Sequence, residues 1–274
     1  MFYIDASMVG SLGARPSAAI GLVESTTWLF GGLTTAASMG FSVQVAHFIG
    51  AKDYAKARQV LRQGIMATTV LTLILTSLAL CIAVPLPHWL RGGEDICHEA
   101  TTYFAVYTIS LPFFQLGNLS SSMLKCAGNM RIPSIMSVLM CLLDVVFNYF
   151  LIYPTHYIHL FGMRIHVFGA DMGVAGAALG SVLAIALTGM MLLWFAAVKS
   201  PKLSLRIDHG TFRPMWNYLR NAAKISSPMA AQYVMMSGAQ IVSTLIVSPL
   251  GNFAIAANAF AITAESLCYM PGYG

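Results

Sequence analysis

Long apolar segments constrain this chain more than any other feature of its sequence. Ala67–Val84, for example, is predominantly apolar on all sides, and a helix that crosses a bilayer needs roughly 20 mostly apolar residues. Strands of a transmembrane barrel would instead alternate apolar and polar residues over segments of about 10. Since only 9% of the residues are charged, against about 25% in soluble domains, we predict an all-α integral membrane protein.

The apolar runs predict seven full helices and one shorter segment. Met1–Gly10 is too short to span a bilayer and resembles the end of a cut helix, while Gly274 directly follows an apolar run. We therefore expect the complete protein to extend beyond both ends of this chain. The full helices are predicted at Ala18–Phe48, Gln59–Leu86, Tyr103–Leu124, Pro133–Tyr153, Met172–Val198, Ile225–Val247 and Phe253–Tyr273.

The basic residues predict how these helices are oriented. When Met1–Gly10 is counted as the first helix, twelve of the 15 lysines and arginines lie in the loops after the second, fourth and sixth helices. Lys and Arg near helix ends favour the cytoplasm, so the amino terminus is predicted to be cytoplasmic. The net charge of +5 is thus explained as an orientation signal, and no nucleic-acid partner is expected.

An internal repeat predicts two related halves that run in the same direction. A repeat of this kind, about an axis along the membrane normal, places the substrate of a transporter between its halves. We therefore predict a six-helix bundle over residues 1–199, a solvated cytoplasmic linker over 200–221, and the first two helices of a second bundle over 222–274. The residues that recur 238 positions later are Val9, Leu12, Gly13, Ala18, Ala19 and Leu29, matched by Val247, Leu250, Gly251, Ala256, Ala257 and Leu267.

Five segments, in the same order and with the same spacing, resemble the multidrug and toxic compound extrusion (MATE) family of transporters. They are Asp5–Gly13 with Ala18–Leu22, Gly50–Asp53 with Ala57 and Arg58, Leu124–Asn129 with Arg131 and Pro133, Gly173–Leu179, and Ser248–Gly251 with Ala256–Asn258.

The resemblance implies a transporter with twelve helices in two bundles and a central cavity for organic cations or other amphipathic compounds. It implies antiport against H⁺ or Na⁺, with no cofactor beyond that coupling ion. The expected partners are small amphipathic or cationic substrates and membrane lipids. We expect a monomer in the plasma membrane, which is the inner membrane in a bacterium.

Acidic residues inside membrane helices are candidates for function, because a charge at mid-bilayer costs about 2.5–3.5 kcal/mol. The chain has four of them, Asp5, Glu24, Asp144 and Glu265. Asp144 and Asn148 lie four residues apart and so share one side of a helix, where their oxygens could bind sodium or the aspartate a proton. The alternative for Asp144 is a structural hydrogen bond between helices, and Glu24 is a weaker candidate because it lies near the outer end of its helix.

In family members with a cation site in the first bundle, an aspartate, an Asn/Asp pair and a hydroxyl form it. The resemblance carries these roles to Asp5 in the first helix, Asp144 and Asn148 in the fifth, and Ser181 in the sixth. Asp5, Asp144 and Asn148 are then the candidate Na⁺ ligands, and no other metal site is expected. The pair has the order Asp then Asn, the reverse of the family pattern, so the choice of ion stays open.

Other family members bind the cation in the second bundle, through a glutamate of the seventh helix. Met236 occupies that position in this chain, with Gln232 nearby, so a second-bundle site of that pattern is not expected. We count Gln232, Met236 and Glu265 as candidate residues of the substrate cavity. Glu265 would act there as a counter-charge for cationic substrates.

Three alternative functions remain open at this point. A lipid-linked oligosaccharide flippase related to this fold would favour a wide basic cavity, whereas the intramembrane residues here are acidic or neutral. A nonfunctional fragment is the second alternative. An intramembrane enzyme is the third, supported by His156, His159 and His166 in an outer loop, but the chain lacks HExxH and nucleophile-elbow motifs, so no enzymatic activity is predicted. The five cysteines form no close pair and indicate neither disulfides nor a zinc site.

Overall fold

A computed structural model of the chain describes residues 8–10, 13–160, 163–207 and 212–273. These residues form a helical bundle with one antiparallel two-stranded hairpin. The elements are α1 (Ala14–Gly50), α2 (Tyr54–Ala83), α3 (Leu86–Trp89), α4 (Glu94–Ile109), α5 (Leu111–Cys126), α6 (Arg131–Ile152), β1 (Pro154–Leu160), β2 (Met163–Ala170), α7 (Gly173–Trp194, followed by a π-helical turn Phe195–Lys199), α8 (Trp216–Val247, followed by a 3₁₀ turn Ser248–Leu250) and α9 (Asn252–Tyr273).

Four of the described helices are long and apolar enough to cross a membrane, namely α2, α6, α7 and α8 together with the turns that extend the last two. Their outer faces carry exposed apolar side chains such as Ile74, Val138 and Met190. A helix satisfies its own backbone hydrogen bonds, so such a face can lie directly against lipid.

Helix α1 is the central element of the bundle. It packs against α2, α4 and α5 of the first half and against α8 and α9 of the second. Two clusters of buried apolar side chains form along it, one around Leu22 and Phe104 and the other around Phe41 and Leu61. The two halves of the described chain therefore share a core, and α1 is the element that joins them.

Glycines on α1 allow the second half to approach closely. A methyl group on Gly32 would lie 2.5 Å from the ring of Tyr233 on α8, and one on Gly21 would lie 2.6 Å from the Cβ of Ala259 on α9. Small residues at helix contacts let two backbones come close together in membranes. The contact between the halves therefore depends on the absence of side chains at these positions.

The sequence repeat corresponds to a repeated backbone turn. Gly13 precedes α1 with φ 116° and ψ −178°, and Gly251 precedes α9 with φ 97° and ψ 172°. The backbone N–H of Gly13 donates to Gly10 at 3.2 Å, and that of Gly251 donates to Ser248, the residue equivalent to Gly10, also at 3.2 Å. Residues with a Cβ rarely adopt such positive φ values, which explains why both positions are glycine.

Both repeated turns lie on the same side of the bundle, next to the start of α4. Arg15 Nη2 donates to the backbone oxygen of Asp95 at 2.6 Å and lies 3.6 Å from Glu99 Oε1. Asn252 Nδ2 donates to Asp95 Oδ2 at 2.6 Å. Helices α1 and α9 therefore begin on the same face, as a parallel repeat requires.

Two parts of the predicted helix pattern differ from the structure. The predicted helix Tyr103–Leu124 is divided into α4 and α5 at Ser110, because Pro112 has no N–H to continue the ladder, and α4 begins as early as Glu94. The predicted outer loop after α6 is the β1–β2 hairpin, in which His156 pairs with Val167. The same register pairs His159 with Arg164 and His166 with Tyr157, so it pairs none of these histidines with another.

The linker is exposed over residues 206–207 and 212–217, as its charges predict, but its start is anchored in the bundle. Leu203 is completely buried in the cluster around Leu61, and α8 begins at Trp216, within the predicted linker. Arg58 and Arg62, on the first turns of α2, are 8% and 3% exposed. They donate to the backbone oxygens of Lys202 at 3.4 Å and Leu205 at 3.1 Å, so charged side chains of α2 hold the linker against the bundle.

Gln63, the residue after Arg62 on α2, holds the far end of the linker. Its amide nitrogen donates to the backbone oxygen of Arg213 at 2.8 Å, and its amide oxygen accepts from the backbone N–H of Met215 at 2.9 Å. Lys202 Nζ donates to the backbone oxygen of Ala127 at 2.9 Å, beyond the end of α5. The linker is thereby held near both ends, at its start by Arg58, Arg62 and its own Lys202, and near its end by Gln63.

Candidate functional site

A buried polar cluster lies between α6 and α7. Asp144 and Asn148, one turn apart on α6, are both 0% exposed, and Ser181 on α7 is 4% exposed. The Ser181 hydroxyl donates to Asp144 Oδ1 at 3.0 Å. The structure thus brings together three of the four residues that the resemblance assigned to a cation site, while Asp5 lies outside the described residues.

Small residues on α7 press this helix onto the polar side of α6. A Cβ on Gly180 would overlap Asn148 Oδ1 and come within 3.0 Å of the Asn148 backbone nitrogen. One turn earlier, a Cβ on Gly176 would overlap the backbone oxygen of Leu151. The close approach positions the Ser181 hydroxyl at hydrogen-bonding distance from Asp144 and leaves little space for lipid or bulk water.

The segment before α1 closes one end of this cluster. Val9 is 1% exposed and packs with Ile152 of α6 and Ala177 of α7. The described part of the first predicted helix therefore contacts the same two helices that carry Asp144 and Ser181.

The chemistry of the cluster is that of a hard-cation or proton site. Its groups are one carboxylate, one amide and one hydroxyl, and oxygens of these kinds bind alkali and alkaline-earth cations rather than soft metals. Among the described residues, no group of three or more His, Cys, Asp or Glu side chains lies together. A carboxylate buried in a membrane helix is also a proton-binding group, because its charged form is costly there.

A second feature is a cavity where the two halves of the chain meet. It lies between α1, α4 and α5 on one side and α8 and α9 on the other, and it has a volume of about 960 Å³ including its open mouth. Six aromatic side chains line its wall, together with Glu24 and small or hydroxyl residues of α1. The aromatic residues are Trp28, Tyr103, Tyr107, Phe114, Tyr233 and Phe260.

Glu24 is the carboxylate of the cavity wall. The indole N–H of Trp28 lies 3.5 Å from Glu24 Oε1, one turn along α1. The rings of Tyr103 and Tyr107 stack with centroids 6.3 Å apart and an angle of 17° between their planes. Among the described residues that line the cavity there is no lysine, arginine or histidine.

The residues that the sequence assigned to a substrate cavity are not among those that line this cavity. Glu265, Gln232 and Met236 are exposed on α9 and α8 and do not line this cavity. From the sequence alone, Glu24 is a weaker candidate than these three residues because it lies near the outer end of its helix. The sequence does carry a signal that Glu24 could line a cavity. Its spacing to Trp28, Gly31 and Thr35 places these four residues on one face of a helix.

Four helices long and apolar enough to cross a membrane, a buried carboxylate between two helices and a cavity between α1 and the α8–α9 pair together define a polytopic helical membrane protein. A family model described as MatE matches residues 1–150. The chain belongs to the MATE family.

Individual relatives agree with this assignment. The chain is 26% identical over 98% of its length to the "Probable multidrug resistance protein NorM" of Thermotoga maritima, of which it covers 55%. It is 25% identical over 80% of its length to the "Multidrug export protein MepA" of Staphylococcus haemolyticus, of which it covers 44%. The chain spans about half the length of the curated relatives it matches.

A solved structure has the same fold. It shows the inward-facing conformation of a multidrug resistance MATE family transporter of the MOP superfamily. The TM-score is 0.78 at 21% sequence identity, with 98% of this chain and 57% of the other covered. The chain follows this fold over nearly its whole extent, so the buried cluster and the cavity both lie within it.

Proposed function

We propose that this chain carries the coupling site of a secondary active transporter that exports organic cations or amphipathic drugs in exchange for H⁺ or Na⁺. The observation that carries the proposal is the burial of Asp144, whose Oδ1 accepts from the Ser181 hydroxyl across the α6–α7 contact. The names of the relatives, which describe multidrug resistance and export, support the substrate class.

Asp144 is the group that exchanges the coupling ion in this proposal. A charged carboxylate at this depth is unfavourable by about 2.5–3.5 kcal/mol, so binding a proton or a cation to it releases free energy. Asn148 and Ser181 supply further oxygens for Na⁺, and Asp5 is proposed as the fourth ligand on the basis of the family resemblance. No cofactor besides the coupling ion is required.

The proposed arrangement is a six-helix first bundle over residues 1–199, joined by the linker to the first two helices of a parallel-repeated second bundle. The shared position of the α1 and α9 starts beside Asp95 supports the parallel repeat. The basic linker supports a cytoplasmic location for that segment and for the amino terminus. We further propose a monomer in the plasma membrane, which is the inner membrane in a bacterium.

The main alternative is a flippase for lipid-linked oligosaccharides. A basic cavity would favour it, since such lipids carry phosphate groups that pair with Arg and Lys. The cavity wall instead carries Glu24 and, among the described residues, no lysine, arginine or histidine. The charge of the wall therefore favours cationic over anionic substrates.

The test measures ion movement in everted membrane vesicles that contain the chain. Tetraphenylphosphonium is added under an imposed H⁺ gradient or an imposed Na⁺ gradient, and loss of the gradient is followed by a fluorescent indicator for each ion. We expect the wild type to dissipate one of the two gradients when the organic cation is added. Asp144→Asn, which keeps the shape of the side chain and removes its charge, is expected to abolish this response.

Asp171→Asn is the matched control. Asp171 is an exposed carboxylate between β2 and α7, so the same substitution there should leave the response unchanged. Dissipation by the Asp144→Asn variant at the wild-type rate would contradict the assignment of the coupling site. Failure of inserted, folded wild type to dissipate either gradient would contradict the proposed antiport.

A further inference from the structure

The cavity wall combines one carboxylate with an array of aromatic rings, and this combination favours positively charged ligands. Glu24 lies at the wall of the cavity, which is also lined by the rings of Trp28, Tyr107 and Tyr233. The faces of aromatic rings attract cations through their quadrupole. A carboxylate among such rings is poorly solvated, and a bound organic cation compensates its charge.

The local geometry orients this carboxylate. Trp28 is placed four residues after Glu24 on α1, and its indole N–H lies 3.5 Å from Glu24 Oε1. Opposite α1, the stacked pair of Tyr103 and Tyr107 is held by α4, with both rings largely buried. The site is therefore built from side chains whose positions are fixed by the helices that carry them.

We propose that Glu24 is the residue of this cavity wall that recognises the positive charge of a transported organic cation. One carboxylate balances one positive charge. Because the described lining residues include no basic side chain, an organic anion finds no partner there.

This assignment separates substrate recognition from ion coupling. Asp144 is completely buried between α6 and α7 and is not among the residues that line the cavity. Glu24 acts on the substrate, whereas Asp144 acts on the coupling ion. The inference rests on the proposed function only in taking this cavity as the substrate site.

The test is equilibrium binding of tetraphenylphosphonium to the purified chain in detergent, in the absence of any ion gradient. We expect Glu24→Gln, which has nearly the same shape, to weaken binding by about tenfold, equivalent to about 1.4 kcal/mol. Binding of triphenylphosphine oxide, which is neutral, should not change. The matched control is Glu94→Gln, since Glu94 is exposed at the start of α4 and lies outside the cavity.

Several outcomes would overturn the inference. These are wild type that does not bind tetraphenylphosphonium, a folded Glu24→Gln variant that binds it as tightly as wild type, and a loss of binding in Glu265→Gln in its place. Asp144→Asn distinguishes the two proposals. Retained binding in that variant supports separate sites, even if the vesicle experiment shows no antiport, whereas an equal loss in Asp144→Asn would refute the separation.

Discussion

Gly180 on α7 lies so close to Asn148 on α6 that no methyl group fits between them. Gly180 is adjacent in sequence to Ser181, whose hydroxyl donates to Asp144. The spacing of two helices, rather than the identity of the polar residues alone, thus sets the geometry of the buried cluster. A change that adds only one carbon at Gly180 should therefore disturb the cluster without removing any of its polar groups.

We expect Gly180→Ala to destabilise the chain and to impair ion coupling. The added Cβ would overlap Asn148 Oδ1, and overpacking of this kind typically costs about 1–3 kcal/mol. The measurement is the midpoint of thermal unfolding in detergent, together with the vesicle assay. Gly238→Ala is the control, because a Cβ at Gly238 would meet nothing within 4 Å and alanine favours a helix by about 0.5–1 kcal/mol. Equal unfolding midpoints for the two variants would contradict the proposed tight contact.

Replacing Gln63 by leucine should release the linker from the bundle. Gln63→Leu removes hydrogen bonds to Arg213 and Met215, each worth about 1 kcal/mol. Trypsin cleavage in the linker should then become faster, on the order of tenfold, because cleavage follows the population of the open form. Gln59→Leu serves as control, since the amide of Gln59 contacts the sulfur of Met215 at 3.8 Å, a weaker interaction. An unchanged cleavage rate in Gln63→Leu would show that other contacts hold the linker.

The start of α2 should respond to pH through one ion pair outside the membrane. Lys56 Nζ lies 2.9 Å from Asp53 Oδ2, and the Lys56 backbone N–H donates to Asp53 Oδ1 at 3.1 Å. The side-chain bond from Lys56, followed by the backbone bond, holds the pKa of Asp53 below its ordinary value of 3.8. The same pair raises the pKa of Lys56 above 10.5.

The sign of the effect follows from these two pKa shifts. The stabilisation from Asp53 is present above its unfolded pKa and is lost as the pH falls through its lower folded pKa. The stabilisation from Lys56 is lost as the pH rises through its raised folded pKa. We expect the unfolding midpoints of wild type and Asp53→Asn to differ slightly at pH 7 and to begin to converge as the pH falls below about 4. They should converge also in 1 M salt, which screens exposed pairs. A difference that is independent of pH would contradict this assignment.

Labelling with a membrane-impermeant maleimide should reveal the orientation of the chain. Ile207→Cys in the exposed part of the linker should react only from the cytoplasmic side, and His98→Cys on α4 only from the outside. The opposite pattern would invert the proposed topology. The native cysteines Cys81, Cys97, Cys126, Cys141 and Cys268 are first replaced by alanine so that only the introduced thiol reacts.

The apolar runs predicted most helices because a membrane helix must satisfy its own backbone within one continuous segment. The prediction Pro133–Tyr153 corresponds to α6 at Arg131–Ile152, and the prediction Phe253–Tyr273 to α9 at Asn252–Tyr273. The spacing of Asp144 and Asn148 was sufficient to place both on one face. Helical periodicity alone fixes such relationships, so they are accessible from sequence.

The cavity and the path of the linker depend on contacts between distant segments, so helical periodicity could not predict them. Tyr103 and Tyr233 lie on different helices, and no spacing along the chain indicates that both line a cavity with Glu24. The charges of the linker predicted solvation, yet Leu203 is completely buried and the backbone oxygen of Leu205 accepts from Arg62 of α2. In both cases the missing information is which helix faces which.

The glycines at 13 and 251 have a consequence for how the two copies of the repeat diverge over evolutionary time. Both require a positive φ that disfavours the other residue types, and they are 238 positions apart in equivalent turns. Most positions of a duplicated segment can drift independently once each copy has its own neighbours. Gly13 and Gly251 cannot, because any residue with a Cβ at either position would have to adopt an unfavourable positive φ. The pair should therefore remain recognisable as a trace of common ancestry after the surrounding similarity has faded.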